Sequence, residues 1–202
     1  MQCQGPQMTT PEERTRSSIC KLNGGVQVLY VDFDNCLHRC DAYKTAAGLV
    51  PSDPSAIFFE FAGVLEELLA PYPAVQIVLS TSWVEALGFE VARDSLSMAS
   101  LRARVVDSTF NPGRDLPHVW SQTPRGRQIR RHVETFGIKR WLALDDMRDG
   151  FEGVESRLVH CQPGVGLGDK DVQALFVGRL EWMFGRRDTS VVAVASPSGR
   201  SK

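Results

Sequence analysis

Residues 26–37 read Val-Gln-Val-Leu-Tyr-Val-Asp-Phe-Asp-Asn-Cys-Leu, and this stretch decides the fold. The β-branched and apolar residues that lead up to Val31 predict a buried strand. The strand runs directly into two carboxylates, Asp32 and Asp34. In open α/β sheets the ligand site lies beyond the carboxyl ends of the strands, so these two residues are the first candidates for a functional site.

Two further apolar segments end in the same way. Residues 75–79 predict a second strand, which is followed by Ser80, Thr81 and Ser82. Residues 141–144 predict a third strand, which is followed by Asp145 and Asp146. Four carboxylates and three hydroxyls are therefore expected at one edge of a parallel sheet.

The segments between these strands have helical periodicity. Helices are predicted over residues 55–69, 83–99 (one or two helices), 128–136 and 169–184, and short strands over 105–106 and 157–160. Strands that are apolar throughout and alternate with helices indicate a parallel sheet covered on both faces. The predicted fold class is α/β, a doubly wound parallel sheet.

The ends of the chain differ in composition from its middle. Residues 1–24 are polar and predict a flexible leader, and residues 188–202 predict a C-terminal tail in which 191–194 could form a short edge strand. The folded domain is expected to span residues 25–187.

Composition limits the classes of function. The formal net charge is −1 at pH 7, which argues against a dedicated nucleic-acid or membrane-surface binder. No segment reaches the roughly 18 apolar residues of a membrane span. The 5 cysteines are odd in number and scattered, unlike a disulfide framework, so a cytoplasmic protein is expected.

Crowded carboxylates repel one another and raise each other's pKa unless a cation neutralises them. Mg²⁺ is the expected cation because it prefers oxygen ligands and keeps room for waters and a substrate phosphate. The sequence therefore predicts a magnesium site at the strand ends.

The pattern resembles the haloacid dehalogenase (HAD) superfamily of phosphohydrolases, whose first motif is a strand followed by Asp-x-Asp-x-x-Leu. The resemblance implies a Rossmannoid sheet and a phosphatase in which Asp32 is the nucleophile and forms an aspartyl-phosphate. Asp34 would act as general acid and base, and its backbone carbonyl would join the metal ligands. The metal ligands implied in this way are Asp32, Asp34 and one or both of Asp145 and Asp146.

The resemblance also implies a hydroxyl and a cation for the phosphoryl group. Thr81 is favoured as the hydroxyl, with Ser80 and Ser82 as further substrate-binding candidates. The cation could be Arg125, Arg127 or Lys139, of which Arg125 is favoured and Arg127 comes next. Lys139 directly precedes a strand, where it would lie at the opposite edge of the sheet.

A finer likeness is to small HAD domains of bacteria, some of which are fused to RNA-repair proteins. It rests on the Ser-Thr-Ser-Trp, Arg-Gly-Arg-Gln and Leu-Asp-Asp segments and on residues 162–167. Only about forty residues separate the first two motifs, so no large cap domain is expected. An open site of this kind suits a bulky substrate, such as a protein or a nucleic-acid end.

Three hypotheses follow. The first is a Mg²⁺-dependent phosphatase whose phosphorylated substrate is unknown, and the second is a nucleic-acid end-processing phosphatase. The third is a HAD-fold binding or regulatory module without turnover. The basic residues of 125–140 are more typical of a solvated helix face than of a nucleic-acid contact, so a nucleic-acid partner is not favoured, and the oligomeric state is left open.

Several of these residues also have purely structural interpretations. Residues 80–82 could cap the helix that follows them. Trp83 is expected to serve in packing rather than in base stacking. The cluster formed by Cys36, His38 and Cys40 lacks the second half of a zinc site.

Overall fold

The computed structural model describes residues 25–46 and 48–185. The predicted leader, the predicted tail and the predicted edge strand at 191–194 lie outside these residues. No helix in the described part of the chain is long and apolar enough to cross a membrane.

A five-stranded parallel sheet forms the centre of the molecule, in the order β5-β4-β1-β6-β7. Its strands are β1 (Gln27–Val31), β4 (Val75–Leu79), β5 (Val105–Ser108), β6 (Arg140–Asp145) and β7 (Leu158–His160). Helices on both faces cover the sheet, so the predicted doubly wound α/β class is confirmed.

The strand register aligns the ends that carry the polar residues. Val31 at the end of β1 lies opposite Leu79 of β4 on one side and Leu144 of β6 on the other. Asp32, Ser80 and Asp145 therefore follow or end three neighbouring strands at one level. Since β1 is the central strand, Asp32 lies in the middle of this edge.

Seven α-helices connect and flank the strands within the described residues. They are α1 (Ala62–Leu69), α2 (Ser82–Leu87), α3 (Phe89–Ser95), α4 (Ala99–Arg104), α5 (Pro117–Gln122), α6 (Arg125–Phe136) and α7 (Lys170–Phe184). Single-turn 3-10 helices occur at Glu155–Arg157 and Gly166–Gly168.

Several helices differ from the sequence prediction. α6 begins at Arg125, three residues before its predicted start, and α5 lies in a segment for which no helix is predicted. The helix predicted from residue 55 begins at Ala62, because Phe59 has a φ of 62° and residues 57–61 form turns instead. The segment predicted as helix over 83–99 forms α2 and α3, which meet at Gly88 with a φ of 88°. Leu96 then leaves the helical region, and α4 starts at Ala99.

Alternate residues of β1 point into two apolar clusters, one on each face of the sheet. Leu29 and Val31 belong to the larger cluster, which packs under α1 to α4 and α7. Val28 and Tyr30 belong to the smaller cluster, which includes Ile129 of α6. Both faces of the central strand are therefore buried, which holds its carboxyl end firmly in place.

A small antiparallel hairpin follows the first motif. It is formed by β2 (Ala42–Thr45) and β3 (Gly48–Pro51) and occupies a segment for which no helix or strand is predicted from the sequence. Between β1 and β4 the chain otherwise forms turns and the single helix α1. This segment contains no domain-sized insertion.

The amino-terminal end of α6 packs directly against the loop after β6. A Cβ atom at Gly126 would lie 2.3 Å from the backbone carbon of Gly150, which is far inside contact distance. The Gly126 backbone N–H also donates to the Asp149 carbonyl oxygen at 3.0 Å. Only glycine permits this approach, and it fixes the position of the neighbouring residue, Arg125.

We expect Gly126→Ala to lower the free energy of unfolding by about 2 kcal/mol or more, because backbone rather than a flexible side chain must move. Gly178→Ala is the matched control, since Gly178 is also helical but has open space around its Cβ position. That control is expected to be neutral or stabilising by up to about 1 kcal/mol. Urea unfolding of both variants checks this, and equal effects would contradict it.

Candidate active site

The site is built on the aligned ends of β1, β4 and β6. The Asp32 backbone N–H donates to the Leu144 carbonyl oxygen at 3.0 Å, and the Ser80 N–H donates to the Val31 carbonyl oxygen at 2.9 Å. The ladder hydrogen bonds thus continue one residue past each strand. Asp32, Ser80 and Asp145 are almost completely buried as a result.

Three carboxylates form a cluster that could hold a metal ion. Asp32, Asp145 and Asp146 each offer an oxygen atom, and these atoms lie within 4.8 Å of one another. Asp145 is fully buried, and its Oδ2 atom receives no hydrogen bond from the described residues. A buried carboxylate oxygen that receives no hydrogen bond and lies beside two other carboxylates fits a hard divalent cation such as Mg²⁺.

Arg125 lies against the same cluster. Its Nη2 atom is 3.6 Å from Asp32 Oδ2, and its Nε atom is 3.5 Å from Asp145 Oδ2. Only about a tenth of the guanidinium-bearing side chain is exposed. One cation therefore faces three carboxyl groups, and a divalent cation would offset the excess of negative charge that arises when all three ionise.

The side chain of Arg125 is held from behind by two residues. Its Nη1 atom donates to Gln128 Oε1 at 3.1 Å, and its guanidinium carbon lies 5.6 Å from the centre of the Trp120 ring. Gln128 in turn donates to the carbonyl oxygens of Trp120 and Thr123. Because these contacts fix the guanidinium on one side, its other side is directed at the carboxylates.

Burial and crowding change the pKa values of the carboxyl groups. Burial, with contributions from Asp34 and Asp146, raises the pKa of Asp32 from 3.8 to about 7, although Arg125 opposes the change. Burial and the nearby Asp32 raise the pKa of Asp145 well above its usual range. Burial also raises the pKa of Asp146. A cation at this cluster would lower all three values.

Asp34 lies just beyond the cluster, on the turn that follows β1. Its Oδ1 atom accepts a hydrogen bond from the indole Nε1 of Trp83 at 3.0 Å and lies 3.1 Å from His38 Nε2. The Asp34 side chain remains 18% exposed. Of the two carboxylates in the first motif, Asp34 is therefore the one that keeps access to solvent.

The three hydroxyl residues after β4 have different environments. Thr81 caps α2, since its Oγ1 atom accepts from the Trp83 backbone N–H at 3.4 Å. The capping interpretation and a phosphate contact are compatible, because the Thr81 hydroxyl hydrogen is still free to donate. Ser80 Oγ is buried without a hydrogen-bond partner among the described residues, whereas Ser82 is exposed.

The other candidate cations do not approach the carboxylates. Arg127 is exposed on α6 and lies near Glu152 rather than near the cluster carboxylates. Lys139 is exposed and directly precedes β6, at the opposite edge of the sheet. Of the three cations considered from the sequence, only Arg125 contacts the carboxylates.

Sequence reasoning missed the residues that hold the site together. Asn35 adopts a φ of 55°, and its Nδ2 atom donates to Asp41 Oδ1 at 2.8 Å and to Asp146 Oδ2 at 3.2 Å. Gly164 donates its N–H to Asn35 Oδ1. The tolerance of Asn for this left-handed conformation was the available signal. Trp120, Gln128 and His38 were also missed as supports of Arg125 and Asp34.

The raised pKa of Asp32 has a consequence for stability. In the metal-free protein the folded state keeps a proton on Asp32 that the unfolded state releases near pH 4, so stability falls as pH rises towards about 7. We expect Asp32→Asn to be more stable than wild type at pH 8 in EDTA, by more than about 1 kcal/mol. The difference should shrink at pH 5.

Thermal unfolding of both proteins at the two pH values checks this expectation. Mg²⁺ should raise the melting temperature of wild type more at pH 8 than at pH 5, because protons and the metal compete for the same oxygens. Asp94→Asn is the control, since Asp94 is exposed on α3 and pairs with Arg93. A pH-independent difference between wild type and Asp32→Asn would contradict the assignment.

The comparisons with known proteins agree with this geometry. A family model described as the HAD domain in Swiss Army Knife RNA repair proteins matches residues 28–172, which include all of β1 but its first residue, the strand-end carboxylates and the start of α7. The search of curated proteins and the search of solved structures each gave no match. The matched segment covers most of the chain, and the protein belongs to this family of HAD domains.

Proposed function

We propose that the protein is a Mg²⁺-dependent phosphohydrolase that transfers a phosphoryl group to Asp32 and then to water. The observation that carries this proposal is the position of Asp32, at the centre of the sheet edge, between the Arg125 guanidinium and the Asp145 and Asp146 carboxylates. A buried carboxylate next to a fixed guanidinium and a cation site is suited to attack on a phosphate ester.

In the first half of the reaction, a carboxylate oxygen of Asp32 forms a bond to phosphorus while the ester P–O bond breaks. Arg125 lies beside Asp32 and stabilises the negative charge on the transferring group. Asp34 gives its proton to the oxygen that leaves. The hydroxyl of Thr81, the second residue after β4, would donate to a phosphoryl oxygen.

In the second half, Asp34 takes a proton from water as the water oxygen attacks phosphorus. The bond between phosphorus and Asp32 breaks, inorganic phosphate leaves, and the Asp32 carboxylate is restored. Asp34 suits both halves because it remains partly exposed while Asp32 is buried. The same group can therefore reach the leaving oxygen and the incoming water.

Mg²⁺ would be held by Asp32, Asp145 and Asp146, together with the backbone carbonyl of Asp34. When bound, it neutralises charge on the phosphoryl group and on the carboxylates around it. Asn35 keeps Asp146 in place through its hydrogen bond, and the Met147 backbone N–H does the same for Asp145 Oδ1 at 3.0 Å.

Phosphate release from an aryl phosphate tests the proposal. Wild type is expected to turn over with Mg²⁺ and to stop in EDTA, and Asp32→Asn should lower kcat by about 10³-fold or more because the nucleophile is lost. Asp94→Asn, which changes an exposed carboxylate far from the sheet edge, serves as the matched control. Turnover that survives both EDTA and Asp32→Asn would refute the proposal.

A nucleic-acid end is the second candidate substrate, and the printed description of the family, RNA repair, favours it. The outer face of α6 carries the exposed side chains of Arg127, Arg130 and Arg131, although Arg131 pairs with Asp115 at 2.8 Å. α6 starts at the site, because Arg125 is its first residue. A polynucleotide whose terminal phosphate occupied the site could place its backbone along this face.

An end-phosphorylated RNA oligonucleotide and an aryl phosphate distinguish the two substrate classes. If RNA is the substrate, the double variant Arg127→Ala/Arg130→Ala should raise KM for the oligonucleotide about 5-fold or more and leave the aryl phosphate unaffected, with the RNA effect weakening at high salt. Lys139→Ala is the control because Lys139 lies at the opposite edge. If the double variant and wild type had equal kinetics on RNA, the outer face of α6 would be excluded as an RNA-binding surface.

A further inference from the structure

The environment of Asp34 contains two hydrogen-bond donors that the proposed reaction does not use. His38 Nε2 lies 3.1 Å from Asp34 Oδ1, and Trp83 Nε1 lies 3.0 Å from the same oxygen. His38 is fully buried and Trp83 is 4% exposed. Two buried ring nitrogens therefore lie within hydrogen-bond distance of one oxygen of a partly exposed carboxylate.

Local structure brings His38 to Asp34. The backbone N–H groups of Cys36 and Leu37 both donate to the Phe33 carbonyl oxygen, so the chain makes a helix-like turn directly after β1. Residues four apart on such a turn lie on the same side. The spacing of Asp34 and His38 therefore follows from the first motif itself.

Trp83 reaches the same oxygen from a different strand end. It lies in the first turn of α2, and the cap formed by Thr81 fixes the start of that helix. The indole N–H then points at Asp34 while the ring packs against Phe33 and Phe59 at centroid distances of 5.6 and 5.3 Å. β1 and β4 are thus joined through the carboxylate of Asp34.

An aromatic cage fixes the orientation of the imidazole. The rings of Phe58, Phe59 and Trp83 lie 4.9, 5.6 and 6.0 Å from the His38 ring centre. His38 Nδ1 has no hydrogen-bond partner among the described residues, so the polar contact of the imidazole is the one between Nε2 and Asp34 Oδ1. Since the indole nitrogen can only donate, Oδ1 is an acceptor in this arrangement.

We propose that His38 and Trp83 are positioning residues that hold Asp34 Oδ1 as a double acceptor, so that Oδ2 is the oxygen that carries and delivers the catalytic proton. Oδ2 receives no hydrogen bond from any described residue. In the first half of the reaction the proton passes from Oδ2 to the leaving oxygen as the P–O bond breaks. This inference rests on the proposed function, because it specifies which oxygen of the general acid Asp34 donates the proton.

The dependence of rate on the leaving group tests this role. Dinitrophenyl phosphate needs little protonation of its leaving oxygen, whereas phenyl phosphate needs it strongly. His38→Phe and Trp83→Phe remove one donor each and keep an aromatic ring. We expect each variant to lose about 10-fold or more in kcat/KM on phenyl phosphate relative to its loss on dinitrophenyl phosphate.

Two further variants separate positioning from packing. His38→Gln retains an amide N–H near the place of Nε2 and should restore part of the rate on phenyl phosphate. Phe58→Leu disturbs the same cage without touching Asp34, so it should change the rates on both esters equally. The rise in melting temperature caused by Mg²⁺ reports whether each variant keeps a folded site.

The outcomes are distinct. A folded His38→Phe or Trp83→Phe that loses equal activity on both esters, or none, overturns the positioning role while the phosphatase proposal stands. If one of these variants does not fold, the other and His38→Gln decide. Absence of Mg²⁺-dependent turnover of dinitrophenyl phosphate by wild type refutes the proposed function and the positioning role together.

Discussion

The contact of the Arg125 guanidinium with Asp32 and Asp145 is the interaction on which the rest of the site depends. Two buried carboxylates on neighbouring strands would repel each other strongly without a cation between them. Arg125 lies 3.6 and 3.5 Å from their oxygens and offsets part of this repulsion before any metal binds. The close approach of Gly126 to Gly150 holds the start of α6 at the distance that this contact needs.

The burial of Asp32 lowers the stability of the folded protein when this carboxylate is ionised. The burial that raises the pKa of Asp32 to about 7 is unfavourable for an ionised carboxylate, and an apolar residue would fill the same place at lower free energy. For the proposed phosphoryl transfer, the same burial would exclude water from Asp32 and strengthen its interaction with charge on the transferred group. Asp34, at the edge of the site, keeps contact with solvent and suits proton transfer.

Much of the fold could be predicted from sequence because the strands are strongly apolar and each ends abruptly in polar residues. β1, β4 and β6 matched their predicted positions closely, and the register then brought Asp32, Asp145 and Asp146 together. The hairpin of β2 and β3 and the late start of α1 were not predictable in this way. Both depend on turns, such as the one at Phe59, whose left-handed backbone opposes the preference of its residue type.

The supporting residues of the site were harder to find for a related reason. Gln128 and Trp120 hold Arg125 through side-chain contacts. The hydrophobic periodicity of a sequence does not show which neighbour a side chain will contact. Trp83 was expected in packing, and its ring does pack against Phe33, but its indole N–H also contacts Asp34. His38 comes four residues after Asp34 in the sequence. The two side chains meet only because the chain forms a helix-like turn directly after β1.

The strand order also determines when the site can form during synthesis. β1 is made first but lies between β4 and β6, and residue 145 leaves the ribosome more than a hundred residues after Asp32. Contacts between segments so distant in the chain form slowly and late in folding. The nascent chain therefore carries Asp32 without its partners until β6 has docked, and the cluster of Asp32, Asp145 and Asp146 is complete only near the end of folding.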